Sequence, residues 1–241
     1  MGGSVPKQFL SIGGEPLIVQ SLRVLQAASV IDQVVLAVPS ADIDYCEREI
    51  VARHRFTKVT RVVAGGAERQ DSVRCALAQI PSDTEIVLMH DAVRPFVTQR
   101  MVEEVVAAAR KEGAAIIALP MRDTVKQVRK DGMIERTVDR SPLWLAQTPQ
   151  AFRRDWIETA HRKGQIEGVQ ATDDSFLVEW LGHPVAVVEG SGENIKVTRP
   201  EDMVIGEAIL VSRMKESGTG GTSAKRAKGK SRLSRQSRSS R

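Results

Sequence analysis

The chain has 241 residues, of which 41% are hydrophobic, 27% charged and 4% aromatic, so it can close its own core without a disulfide or metal staple, as one large domain or two small ones. No apolar run approaches the roughly 18 residues that cross a bilayer, the first residues carry no secretory leader pattern, and the two cysteines, Cys46 and Cys75, suit a reducing compartment. These features exclude membrane and secreted readings and lead to the expectation of a cytoplasmic protein; the formal charge of +5 is dealt with at the tail, where it resides.

Taken in chain order, helical spacing comes first, at Leu17, Ile18, Leu22 and Leu25. Short, nearly continuous apolar runs follow at residues 34–38, 59–64, 86–89 and 114–119, the pattern of strands buried on both faces. Between them, Val73, Ala76, Leu77 and Ile80 form one helical stripe and Met101, Val102, Val105, Val106 and Ala109 another, the second with Thr98 as N-cap and Gly113 past its end. Strand and helix taking turns predict an α/β fold, a doubly wound and mostly parallel sheet whose ligand lies beyond the carboxyl ends of the strands.

The loops at those ends carry the chemistry. Gly65-Gly66-Ala67-Glu68-Arg69-Gln70-Asp71-Ser72 leads from a strand into a helix, where close backbone approach and the helix N-terminus favour an anion; taken alone it also fits a plain strand-to-helix turn. His90-Asp91-Ala92-Val93-Arg94-Pro95 puts an acid and a base three residues apart after the next strand, which fits a site or a structural ion pair. Residues 122–140 break the rhythm: they are polar, with Asp131-Gly132 as a two-residue hairpin signal, and a lone ribbon must lie on a second subunit or on its own domain. Lys196 is expected on a strand just before a helix opened by Pro200.

Residues 217–241 hold eight basic residues and no acidic one. Removing those eight leaves 27 basic against 30 acidic residues, a net of −3, on the remainder. The tail is too poor in apolar residues to offset the entropy of ordering it, so it reads as disordered, either a solubilising extension or a weak electrostatic contact with nucleic acid or anionic lipid. The domain organisation expected is therefore a folded body over residues 1–216, which includes a hairpin arm at about 122–147, and the basic tail.

Six blocks in order, Pro6-Lys7-Gln8-Phe9-Leu10, Gly65 to Arg69, His90 to Pro95, Arg122-Asp123-Thr124, Thr148-Pro149-Gln150 and Asn194-Ile195-Lys196-Val197-Thr198, resemble the 2-C-methyl-D-erythritol 4-phosphate cytidylyltransferases over about residues 1–213. The resemblance implies a Rossmann-like nucleotidyltransferase fold, a homodimer that exchanges hairpin arms, and transfer of a cytidylyl group from CTP, with Mg2+ on its phosphates, to methylerythritol phosphate. It implies catalytic roles for Lys7 and Lys196, nucleotide binding by Gly66, Ala67, Arg69, Ser72, Asp91 and Ala92, and substrate positioning by Arg94, Lys196 and, from the partner's arm, Thr137 and Arg154. Ala67 departs from the Asp common at that place in the family. The family's first strand and Gly-rich phosphate loop are also missing ahead of Pro6, which is expected to leave the neighbouring strands unpaired. The alternatives are a ribitol-5-phosphate cytidylyltransferase, which shares the chemistry, and a noncatalytic dimer that binds nucleic acid through the tail. The length leaves no room for a fused cyclase domain.

Overall fold

The computed structural model describes residues 6–219. The disorder expected for the basic tail falls largely outside them. A single turn at Lys7–Phe9 and a two-residue hairpin, β1 (Ser11–Ile12) and β2 (Glu15–Pro16), precede α1 (Leu17–Ala27). Next come β3 (Val34–Val38), α2 (Ile43–Tyr45), which runs on into wider π-type turns at Cys46–Ala52, β4 (Val59–Ala64), α3 (Arg69–Leu77) and β5 (Ile86–Met89). Then follow α4 (Gln99–Glu112), β6 (Ala114–Pro120), β7 (Val125–Val128), β8 (Ile134–Val138) and β9 (Trp144–Arg153). The chain closes with α5 (Arg154–Ile166), α6 (Asp174–Trp180), β10 (Ala186–Glu189) and α7 (Pro200–Thr219).

The four apolar runs all form strands and the three amphipathic stripes all form helices. Thr98 caps α4 by accepting from the Met101 N–H at 3.2 Å, and Gly113 ends it at φ +93°. Alternation along β6 explains the two layers of helices. Ala115 and Ile117 pack with Val102, Val105 and Ala109 of α4, whereas Ala114, Ile116 and Ala118 pack with Ile157, Leu177 and Val178 of α5 and α6. The hairpin forms as expected, β7 against β8, with Gly132 at φ +84° in its turn.

The sheet is mostly parallel, as expected, with one strand reversed. β10 and β6 pair in parallel, as do β3 and β4, but β9 runs antiparallel between β6 and β5. β9 also takes up the end of the expected arm: Leu145 and Trp144 pair with Leu119 and Pro120, prolonging the main sheet, so the free hairpin is shorter than residues 122–147.

The sheet is also split. The four strands β10-β6-β9-β5 form one part and β3-β4 another, so among the described residues β3 and β5 each have a free edge. A cleft of about 710 Å³ separates them, lined by Val34, Val35, Ile86, Leu88, Leu25 and Leu77. Two unpaired strand edges thus face each other over an apolar floor.

Candidate active site

β4 ends at Ala64, where the Gly65 N–H donates to Val38 O at 2.7 Å. A Cβ on Gly65 would lie 2.6 Å from Ser72 Oγ, and one on Gly66 would lie 2.2 Å from Asp71 Cβ, so only glycine fits so tight a turn. The Gly66 N–H donates to Ser72 Oγ at 3.1 Å, and that hydroxyl donates to Glu68 O at 3.2 Å. A capping box between Glu68 and Asp71 opens α3, which leaves Arg69 as its first residue. Ala67 lies in the same loop.

The loop after β5 faces Arg69. Asp91 Oδ1 is 3.0 Å from Arg69 Nε, and Oδ2 is 2.8 Å from Lys196 Nζ and 3.9 Å from Arg94 Nε. Burial alone would raise the Asp91 pKa, but Arg69 and Lys196 outweigh it and hold the carboxyl at about 2. Behind Asp91, its N–H donates to Thr148 Oγ1 at 3.1 Å. Thr148 Oγ1 is 3.1 Å from His90 Nδ1, and His90 Nε2 is 3.2 Å from Arg94 O. A carbonyl can only accept, so His90 carries its proton on Nε2 and takes the Thr148 hydroxyl proton at Nδ1.

His90 is thereby built to be neutral, and burial pushes its pKa down to about 4. A histidine depressed from its ordinary 6.5 leaves the unfolded chain binding more protons below that value. Its contribution to stability is therefore whole above pH 6.5 and lost as the pH falls to about 4, on the order of 3 kcal/mol at about 1.4 kcal/mol per pKa unit. Denaturant unfolding across that window should show the loss, and His90→Gln should flatten it; an unchanged slope in the variant would assign the loss to other groups.

Lys196 reaches Asp91 from irregular backbone and not from the expected strand. The Val197 N–H donates to Val93 O at 2.8 Å, Arg94 Nη1 donates to Asn194 O at 2.8 Å, and the buried Asn194 amide donates to Thr148 O at 2.9 Å. One backbone bond from this segment therefore suffices to fix it beside the loop after β5, while its side chains bind β9. A strand ladder is not needed to hold it. Pro200 opens α7 as expected, with Asp202 accepting from the Thr198 and Arg199 N–H groups at 2.8 Å.

The fold thus brings together Gly66, Ser72, Arg69, Asp91, Ala92, Arg94 and Lys196. Lys7 is exposed on its single turn beside the carboxyl end of β3, where Phe9 and Ala92 pack on the cluster around Leu36 and Val38. Thr137 stands on the hairpin, accepting from Lys126 Nζ at 2.7 Å. Arg154 is not on the arm. It opens α5 at the amino end of β5, its N–H donating to Glu85 O at 3.0 Å and its Nε 2.7 Å from Glu158 Oε1, with a further bond to Ser82 O. The four residues of β5 put it roughly 13 Å from the Asp91 end of that strand. Two buried residues escaped the sequence reading: Asp174, whose Oδ2 is 2.7 Å from Arg69 Nη2, and His161, whose Nε2 is 3.1 Å from Asp174 Oδ1.

Comparison with known proteins gives a matching family model, described as 2-C-methyl-D-erythritol 4-phosphate cytidylyltransferase (IspD), over residues 1–212. The chain belongs to this family. Among curated members, it is 48% identical over 210 residues to the cytidylyltransferase of Syntrophus aciditrophicus, covering 87% of this chain and 90% of that one. The member from Geobacter metallireducens is 43% identical over 217 residues, covering 89% and 93%. Two family crystal structures share the fold. The Anaerococcus prevotii 4-diphosphocytidyl-2C-methyl-D-erythritol synthase has a TM-score of 0.79 at 30% identity, covering 87% of this chain and 92% of that one. The Thermus thermophilus cytidylyltransferase has 0.73 at 35% identity, covering 85% and 94%. The Rossmann-like nucleotidyltransferase architecture is therefore that of the family, with a mixed sheet.

Proposed function

We propose that this chain transfers the cytidylyl group of CTP to 2-C-methyl-D-erythritol 4-phosphate in isoprenoid precursor synthesis. The observation that carries the proposal is the line of alternating charge Arg69, Asp91, Lys196 at the carboxyl end of β5. Two polyanions must come within bonding distance, and fixed cations offset their repulsion. A phosphate oxygen of the acceptor forms a bond to the α-phosphorus of CTP as the bond from that phosphorus to the bridging oxygen breaks, and pyrophosphate leaves with the electron pair. The acceptor supplies the nucleophile, so no covalent enzyme intermediate is required.

In this reading Asp91 holds Lys196 toward the reacting phosphate, and Lys7 approaches from its exposed turn. Gly66 and Ala67 offer backbone to the nucleotide, Ser72 keeps that loop closed, and Ala92 lines the ribose side. Arg94, held by Asn194 O, borders the acceptor. Mg2+ belongs to the substrate, as MgCTP: among the described residues no three His, Cys, Asp or Glu converge, and Asp91 is already engaged by two cations, a donor set that does not suit a protein-held metal. Exposed Val128, Met133 and Ile134 on the hairpin, with Trp144 and Leu145 at its base, support a homodimer in which a second copy covers them and receives Thr137. Arg154, paired with Glu158 in its own chain, is likewise assigned to the acceptor in the partner's site. No described helix is long and apolar enough to cross a membrane, and the cytoplasmic location is part of this proposal.

Pyrophosphate release from MgCTP with methylerythritol phosphate is the test. Release with that acceptor and not with ribitol 5-phosphate is expected; release with ribitol 5-phosphate alone would reassign the acceptor. Release with neither, together with salt-sensitive RNA binding lost on deleting residues 217–241, would favour the noncatalytic alternative.

A further inference from the structure

Among the described residues, only the Arg69 side chain touches both Asp91 and a second buried carboxylate. Its side chain is 36% exposed while that of Asp174 is 2% exposed, so the arginine bridges the open site and the core. The contacts run in one line: His161 Nε2 to Asp174 Oδ1 at 3.1 Å, Asp174 Oδ2 to Arg69 Nη2 at 2.7 Å, Arg69 Nε to Asp91 Oδ1 at 3.0 Å, and Asp91 Oδ2 to Lys196 Nζ at 2.8 Å. Asp174 is fixed by its surroundings. It lies in the first turn of α6, whose N-cap Asp173 accepts from the Phe176 N–H at 3.1 Å, and the same Asp173 accepts from Gln150 of β9 at 2.8 Å.

His161 Nδ1 is buried with no hydrogen-bond partner, so a proton there would have nothing to receive it. A carboxylate only accepts, so the ring donates from Nε2 to Asp174, and Arg69 and Lys196 stand between and beside the two carboxylates. An arginine with a free, solvated fork samples many rotamers. Pinned at Nη2 by Asp174, Arg69 can present only its Nε edge to Asp91, which leaves the second Asp91 oxygen for Lys196.

We propose that Asp174, oriented by His161, is a positioning residue for the nucleotide site: it fixes Arg69 so that Asp91 is shared between Arg69 and Lys196. Without the Asp174 charge, Arg69 is released to close both of its edges on Asp91, displacing Lys196 and disordering the Gly65-Gly66 loop that leads into Arg69. This inference rests on the assignment of that loop to CTP.

The experiment is calorimetric titration of MgCTP into the full chain without acceptor, beside steady-state kinetics, for wild type, Asp174→Asn and His161→Phe. Asp174→Asn should weaken CTP binding about tenfold and raise the CTP KM equally, with the acceptor KM within twofold. His161→Phe, which keeps the ring shape and loses the donor, should shift both in the same direction by about threefold, and Asp174→Glu should recover part of the loss. A merely structural role would lower the active fraction and kcat while leaving the CTP dissociation constant and KM where they were. Unchanged CTP binding in folded Asp174→Asn overturns the proposal; if that variant does not fold, unchanged binding in His161→Phe overturns it. Failure of the wild type to bind MgCTP would overturn the functional reading instead.

Discussion

Lys196→Ala is expected to lower turnover by about 10² to 10³, the usual scale for removing one preorganised electrostatic stabiliser, with little change in melting temperature. The Lys196 side chain is 42% exposed, and exposed ion pairs contribute only about 0 to 1 kcal/mol to folding. Its segment is held by the Val197 to Val93 backbone bond, by Asn194 and by Asp202, none of which involves the lysine ammonium. Asp91 keeps Arg69 as a counter-charge, so no buried carboxylate is stranded. What is lost is one positive charge aimed at the transferring phosphate. Steady-state pyrophosphate release and a thermal melt decide the matter together: a fall below threefold in a folded variant would remove Lys196 from the mechanism. Lys7→Ala should lose turnover on the same scale, since the chemistry needs charge from both sides of the reacting phosphorus.

The second large effect belongs to the cleft between β3 and β5. A chain extended at its amino end so that five or six apolar, β-branched residues can lie there is expected to melt roughly 10 °C higher. Burial of five such side chains contributes on the order of 10 kcal/mol, and pairing along two free edges adds about 0.5 to 1 kcal/mol per hydrogen bond. Ordering the segment costs about 1.5 kcal/mol per residue. The surplus of about 3 to 5 kcal/mol corresponds to that shift in a domain of this size. The direction is fixed by the fold. Phe9 packs on the cluster that includes Leu36 and Val38 of β3, and a strand running parallel to β3 is expected to deliver the chain to Lys7. The same extension with proline at alternate positions cannot donate to either edge and serves as control; equal melting of the two extensions would show that the cleft does not seat a strand.

What could be read in the sequence, and what could not, follows from burial. Strands β3, β5 and β6 were legible because both faces are largely covered, so their residues are apolar without interruption, and β4 was legible from Val59, Val62 and Val63 despite exposed Thr60 and Arg61. β9 was not legible as a strand. Residues 144–153 contain Gln147, Thr148, Pro149 and Gln150, and polar residues with a proline read as a loop. The strand survives because the ladder to β6 shifts register between Ile116 and Ala118, opposite that stretch, and the ladder to β5 ends at the Met89 to Gln150 pair, so proline's missing N–H falls where nothing needs it. Its glutamines stay buried because each is answered, Gln147 by Ser191 O and Asn194, and Gln150 by Asp173. In the site, Arg69, Asp91, Arg94 and Lys196 came from motifs with fixed order. That Arg154 opens α5 at the amino end of β5 was not legible, because spacing from Thr148-Pro149-Gln150 says nothing about which end of β5 a residue reaches. Asp174 and His161 had no local signal, since their partnership crosses the turn between α5 and α6 and acquires meaning only through Arg69.

The split sheet gives Arg69 a consequence beyond chemistry. It follows β4, in one part of the sheet, and grips Asp91, which follows β5 in the other. A nucleotide lying across both loops binds only when the two parts are in register, so ligand binding and the coherence of the fold become linked equilibria. Each tenfold rise in free nucleotide above its dissociation constant then adds about 1.4 kcal/mol to stability, so that in a cell the fraction of this protein that is intact follows the supply of the molecule it consumes.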